Sequence, residues 1–231
     1  MTTDARNERT DGAGEVVGLL LAAGGGRRLG GRPKALLEHR GRPLVEHAVD
    51  VLRAAGCERV HVVLGASAGT VRRRASLPGC VLVDNPDWAA GMGSSLRVGL
   101  ASLRTTGAAA ALVSLVDQPG IGATATARVR AAYRSPGTLA AAAYDGLRGH
   151  PVLFGSAHWA GIEEHAVGDR GARDYLREHV GEITLVECGD VAEAYDIDTA
   201  ADLRHLAPPP EPGQGPGIPA SGTPDSAAHM E

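Results

Sequence analysis

Residues 16–34 read VVGLLLAAGGGRRLGGRPK. The opening seven, Val16–Ala22, form a near-continuous apolar run, as a strand buried on both faces of a parallel sheet requires. Gly24, Gly25 and Gly26 follow at once. Glycines let backbone N–H groups turn inward and approach an anion closely. Arg27, Arg28 and Lys34 add positive charge to the same loop. Ligands of α/β folds bind at the carboxyl ends of strands, so a basic glycine loop there reads as a polyphosphate cradle. A P-loop needs G-x-x-x-x-G-K-[ST], but Pro33 precedes Lys34 and Ala35 follows it. The dinucleotide pattern G-x-G-x-x-G also fails, because Leu29 stands at its third glycine. The structural alternative is a flexible loop with solvated arginines.

Outward from this stretch, apolar runs alternate with helical patterns. Strands are expected at 59–64, 79–83, 108–116, 138–143 and 151–154. Helices are expected at 43–55, 92–103, 124–133, 169–179 and 199–206. In the first helix Leu44, Val45, Ala48, Val51, Leu52 and Ala55 share one face. This alternation argues a three-layer, Rossmann-like α/β fold with a mostly parallel sheet. Residues 15–207 form the expected domain. Residues 1–14 read as a disordered leader, and the Pro/Gly-rich 208–231 as a disordered tail.

Composition removes several classes. The 231 residues carry 23 basic and 27 acidic side chains, a net charge of −4, so no global positive field favours nucleic acid. No apolar run approaches the ~20 residues that span a bilayer. The polar N-terminus is unlike a secretory signal, and a soluble cytoplasmic protein is the expectation. Cys57, Cys80 and Cys188 offer neither a CxxC pair nor an even disulfide framework. Aromatics are scarce (2 Trp, 4 Tyr, 1 Phe), which argues against base stacking as the main mode of ligand recognition.

Asp117, in LVDQP at 115–119, would stand at the carboxyl end of the fourth strand. A carboxylate there suits Mg²⁺, which prefers oxygen ligands. An Asx-turn cap is the structural alternative. The Gly91–Ser95 loop opens a helix, so its amides and hydroxyls can donate to an acceptor, or simply cap.

LAAGGGRRLGGRPK at 21–34 resembles the L-A-[AG]-G-x-x-x-R-M-G-x-x-K signature of the MobA-like nucleotidyltransferases. Leu29 stands where Met is usual, and one extra residue lies between Gly30 and Lys34. The likeness covers residues 15–207 and returns at four later motifs. It implies nucleotide binding by Leu21, Ala22, Ala23, Gly24, Gly26, Arg27 and Lys34. In DNPDWAAGMGSSL, at 84–96, it adds Asn85, Gly93, Ser94 and Ser95. It implies metal binding by Asp117 and, in DIDTAAD at 196–202, by Asp198. Asp196 would support them, and Asp202 would cap a helix with Thr199. Arg27, Lys34 and Asp117 would carry catalysis. His150 in GLRGHPVLF, and Arg170 and Arg173 in GDRGAR, would meet the acceptor.

The implied reaction is Mg²⁺-dependent attack of an acceptor on the α-phosphorus of an NTP, with release of pyrophosphate. A phosphate-monoester acceptor is mostly dianionic at neutral pH and needs no strong base. LAAG rather than LAGG, with GMGSS and RGHPVLF, resembles the cytidylyltransferase branch. That branch implies CTP as donor, a molybdopterin-type acceptor, and a molybdenum hydroxylase or its maturation factor as partner. Guanylyl transfer, a sugar-phosphate or phospholactate acceptor, and a non-catalytic cofactor chaperone are the alternatives.

Overall fold

The computed structural model describes residues 14–206. The expected leader (apart from Gly14) and the expected tail lie outside the described residues. Among those described, no helix is long and apolar enough to cross a membrane.

Strand β1 (Val16–Ala22) is buried along its whole length. Val16, Leu20 and Ala22 enter one core layer, while Val17, Leu19 and Leu21 enter the other. Burial on both faces is why the run lacks polar alternation. The chain then forms a short hairpin, β2 (Glu38–His39) with β3 (Arg42–Pro43), before helix α1 (Leu44–Ala54). Strand β4 (Val60–Leu64), helix α2 (Ala68–Arg74) and strand β5 (Val81–Asp84) follow. Helix α3 (Met92–Leu103) leads to strand β6 (Ala110–Leu115), and helix α4 (Ala123–Ala131) comes next. Strands β7 (Leu139–Tyr144) and β8 (Leu147–Gly155) form an antiparallel hairpin. Its two-residue turn, Asp145–Gly146, has φ values of 51° and 76°, as a type I′ turn needs. Helices α5 (Trp159–His165) and α6 (Arg173–Glu178) and strand β9 (Ile183–Glu187) complete the fold.

The seven-stranded sheet runs β5-β4-β1-β6-β8-β7-β9. It is mostly parallel: β8 alone runs against its neighbours β6 and β7. Residues of α1, α2 and α4 pack on one face, and those of α3, α5 and α6 on the other. The expected three-layer α/β fold is therefore present. From β1 the chain moves outward through β4 to β5, then returns to place β6 on the opposite side of β1. This reversal leaves a crevice between the carboxyl ends of β1 and β6.

Several elements differ from expectation. One helix was expected over 169–179, but Gly171 at φ 54° interrupts it, leaving a 3₁₀ turn at Gly168–Arg170 and then α6. Ala200–Leu206 is 3₁₀ rather than α-helical. Strand β9 and helix α5 were not foreseen. Most of β9 faces solvent, and α5 buries only Trp159 and Ile162.

Candidate active site

The crevice between β1 and β6 opens into a pocket of about 320 Å³, within the range of small-molecule sites. The loop after β1 supplies Ala23, Gly24, Gly25, Gly26, Arg27 and Arg28 to its wall. Gly26 sits at φ 60°, and a Cβ there would fall 1.9 Å from the Arg32 carbonyl oxygen. Only glycine fits. Its carbonyl accepts from the Leu29 and Gly31 amides, and Leu29 is buried beneath the loop. That anchor turns Arg27 and Arg28 outward to the pocket.

Lys34 joins the floor. Its ammonium donates to Asp117 Oδ2 at 2.6 Å and also to Asp198 Oδ1. The lysine side chain is 15% exposed, Asp117 19% and Asp198 41%. Burial alone would pull the Lys34 pKa down, but the charge and hydrogen bonds of Asp117, then of Asp198, outweigh it and hold the pKa above its usual value. Lys34 is thus charged at neutral pH. Arg28 stands 3.7 Å from the other oxygen of Asp198.

One backbone link brings Asp198 to Asp117 across the chain. The Ile197 amide donates to the Asp117 carbonyl at 2.9 Å, and Ile197 itself is fully buried. Asp202 then accepts from the amides of Asp198 and Thr199 and from the Thr199 hydroxyl. Asp202 is therefore the clamp of this segment rather than a ligand. Asp196 lies just behind. Burial raises its pKa, against the amide of Gln118 that donates to it at 2.8 Å, and the charges of Asp117 and Asp198 push it further up.

Two carboxylates that converge on one ammonium define a cation-sized point with oxygen donors. That donor set suits a hard divalent ion completed by water and phosphate oxygens. Asp117 and Asp198 fit such an ion.

The pocket gathers Leu21, Ala23, Gly24, Gly26, Arg27, Lys34, Ser95, Asp117 and Asp198, all singled out from sequence. It also takes Trp88, Met92 and Asp169, which sequence reading did not place there. Other expected ligand residues stand outside its wall. Ala22 is buried in the sheet core. Asn85 is only 2% exposed, and its side-chain amide donates to the hydroxyls of Ser94 (2.8 Å) and Ser95 (3.0 Å). Ser94 is buried and donates to backbone carbonyls of Asp87 and Gly91. A Cβ on Gly93 would fall 2.5 Å from the Ala166 carbonyl oxygen, so Gly93 lets α3 dock on that segment. Asn85, Gly93 and Ser94 thus build the pocket's support.

His150 lines a smaller cavity beside the main pocket, with His47, Gln118 and Pro119. Burial drives its pKa down to about 4 against the opposing charge of Asp117, and the charges of Arg148 and Arg173 lower it further. It is a neutral imidazole at pH 7. Arg148 has its own pKa lowered by burial and by Arg173. Two arginines that repel each other near His150 suit an anion. Arg170 instead pairs with Asp174 at 2.8 Å.

Residues 18–183 match the model of the MobA-like NTP transferase domain. Nicotine blue oxidoreductase of Paenarthrobacter nicotinovorans is 41% identical over 198 residues, which span 83% of this chain and 96% of that protein. The crystal structure of an rv0371c homolog from Mycobacterium sp. strain JC1 is 31% identical, with a TM-score of 0.71, and covers 83% of this chain and 94% of that one. Rv0371c of Mycobacterium tuberculosis in complex with manganese is 29% identical, with a TM-score of 0.66 over 84% of this chain and 98% of that one. The cradle, the paired carboxylates and the sheet order thus sit in a chain that belongs to the MobA-like NTP transferase family.

Proposed function

We propose that this chain transfers CMP from CTP to the phosphate of a molybdopterin-type acceptor and releases pyrophosphate. The observation that carries the reading is Lys34 held between Asp117 and Asp198 at the mouth of the glycine loop. Asp117 and Asp198 would hold Mg²⁺, which supplies neutralisation of charge developing on the phosphates. Lys34 and Arg27 bind the triphosphate and stabilise the leaving pyrophosphate. The backbone of the 24–26 loop orients the phosphates. Arg148 and Arg173 bind the acceptor phosphate, with Arg170 as a further contact. The neutral His150 stands near Asp117 without adding charge. No general base is required for a dianionic phosphate nucleophile.

The choice of CTP rests on the LAAG tetrad and the GMGSS and RGHPVLF segments. Ala23 lines the pocket, and its methyl narrows the wall. A soluble protein without nucleic-acid or membrane partners, working with a molybdenum hydroxylase or its maturation factor, completes the reading. Supplying each of four NTPs with Mg²⁺ and the molybdenum cofactor tests it. Pyrophosphate release with CTP alone is expected, and release with GTP alone overturns the cytidylyl assignment.

One observation favours a second reading: the relative at 41% identity is named an oxidoreductase. On that reading the cradle binds the diphosphate of a dinucleotide electron donor, and the pocket takes a planar dye. The paired carboxylates weigh against it, because hydride transfer needs no such pair. Nicotinamide oxidation at 340 nm with a quinoid dye, and no pyrophosphate from any NTP, would establish the second reading.

A further inference from the structure

The main pocket has a mixed lining. Arg27, Arg28, Lys34, Asp117 and Asp198 are ionic, while Ala23, Trp88, Met92 and Ser95 are largely apolar, with the carboxylate of Asp169 beside Gly91. The chain has few aromatics, and most are committed elsewhere. Trp159, Phe154 and Tyr175 are buried, Tyr195 stacks on His205, and Tyr144 donates to the His150 carbonyl. Trp88 is the aromatic side chain on the pocket wall among the described residues.

Its placement is constrained by close contacts. A Cβ on Gly65 would fall 2.4 Å from Trp88 Cβ, and one on Gly25 would fall 3.0 Å from Trp88 Cζ3. The indole therefore occupies room left by two glycines, one in the loop after β1 and one after β4. A ring wedged in this way needs little further ordering when a ligand arrives. Its N–H makes no hydrogen bond to the described residues, whereas the buried Trp159 donates to the Phe154 carbonyl at 2.9 Å.

We propose that Trp88 is the platform on which the nucleobase of the donor stacks, with the triphosphate lying toward Lys34. The inference rests on the nucleotide reading above and names a binding residue that reading does not use. Every base presents a π-face, so the platform supplies affinity and orientation. Choice among bases stays with Ala23 and the backbone groups beside it.

Calorimetry with CTP and with inorganic tripolyphosphate, each with Mg²⁺, tests it on wild type and Trp88→Leu. Loss of one base–aromatic stack lowers affinity about ten-fold or more. Trp88→Leu is expected to weaken CTP by that factor and leave tripolyphosphate unchanged. Unaltered CTP affinity overturns the inference, as does a wild type that binds the two probes equally. A wild type that binds neither probe overturns the nucleotide reading itself. Indole fluorescence of the intact protein gives a second readout that needs no substitution, because Trp159 is buried. CTP should quench it and tripolyphosphate should not; equal responses refute stacking.

Discussion

Replacing Lys34 with Met removes one ammonium and keeps most of the apolar stem. Two charge-assisted hydrogen bonds disappear, each worth about 1.5–3 kcal/mol when shielded from water. Asp117 is mostly shielded, but Asp198 is 41% exposed, so its share is screened to about 1 kcal/mol or less. The two carboxylates then face each other without their shared cation, which adds to the loss. The net destabilisation is about 2–3 kcal/mol, or a fall in Tm of roughly 4–12 °C for a chain of this size. Calorimetry in chelator-containing buffer reads it. The raised Lys34 pKa fixes the pH window. This stability is fully present below the unfolded value of 10.5 and is lost only as pH rises through the higher native value. The difference between the two proteins should therefore be flat from pH 6 to 9. Divalent metal should raise the Tm of Lys34→Met more than that of wild type, since the carboxylates are then free to take it. Nucleotidyl transfer should fall about 10²-fold or more, the usual cost of losing one preorganised charge-stabilising donor. A variant that melts and turns over like wild type refutes the bridging role of Lys34.

Two other substitutions probe the surroundings. Gly93→Ala places a methyl against the Ala166 carbonyl. Overpacking of about 1–3 kcal/mol exceeds the helix-propensity gain of about 1. The expected result is a loss of up to about 2 kcal/mol in urea melts; a gain contradicts the close approach of α3. His150→Gln removes a group whose native pKa of about 4 lies below the unfolded 6.5. A lowered histidine pKa costs stability as pH falls from 6.5 toward 4, and here the cost is at most roughly 3 kcal/mol. The variant should lose less stability than wild type over that window, and parallel pH profiles exclude a buried neutral imidazole.

The sequence carried the centre of the sheet well. Strands β1, β4 and β6 are nearly continuous apolar runs, broken only by His61 and Ser114, because both faces are covered, and that leaves a pattern in the residues themselves. Strand β9 leaves none: Ile183–Glu187 pairs along one edge and exposes most of its side chains. The ionic floor was legible as motifs, but the link that joins them was not. A main-chain bond from Ile197 to Asp117 has no side-chain signature. Asn85, which the family likeness marks as a ligand, is turned inward by three hydrogen-bonding neighbours. Against the scarcity of aromatics stands one tryptophan on the pocket wall, the residue on which the stacking proposal rests.

The central claim is that the β1–β6 crevice transfers a nucleotidyl group over the Lys34-bridged carboxylates. CTP labelled with ³²P at the α-position, incubated with Mg²⁺ and the molybdenum cofactor, tests it most directly. The label should appear on the acceptor with one unlabelled pyrophosphate per transfer, and Asp117→Asn should abolish both while keeping its fold. Label that stays on free nucleotide in the wild type, or transfer that survives Asp117→Asn, would contradict the account.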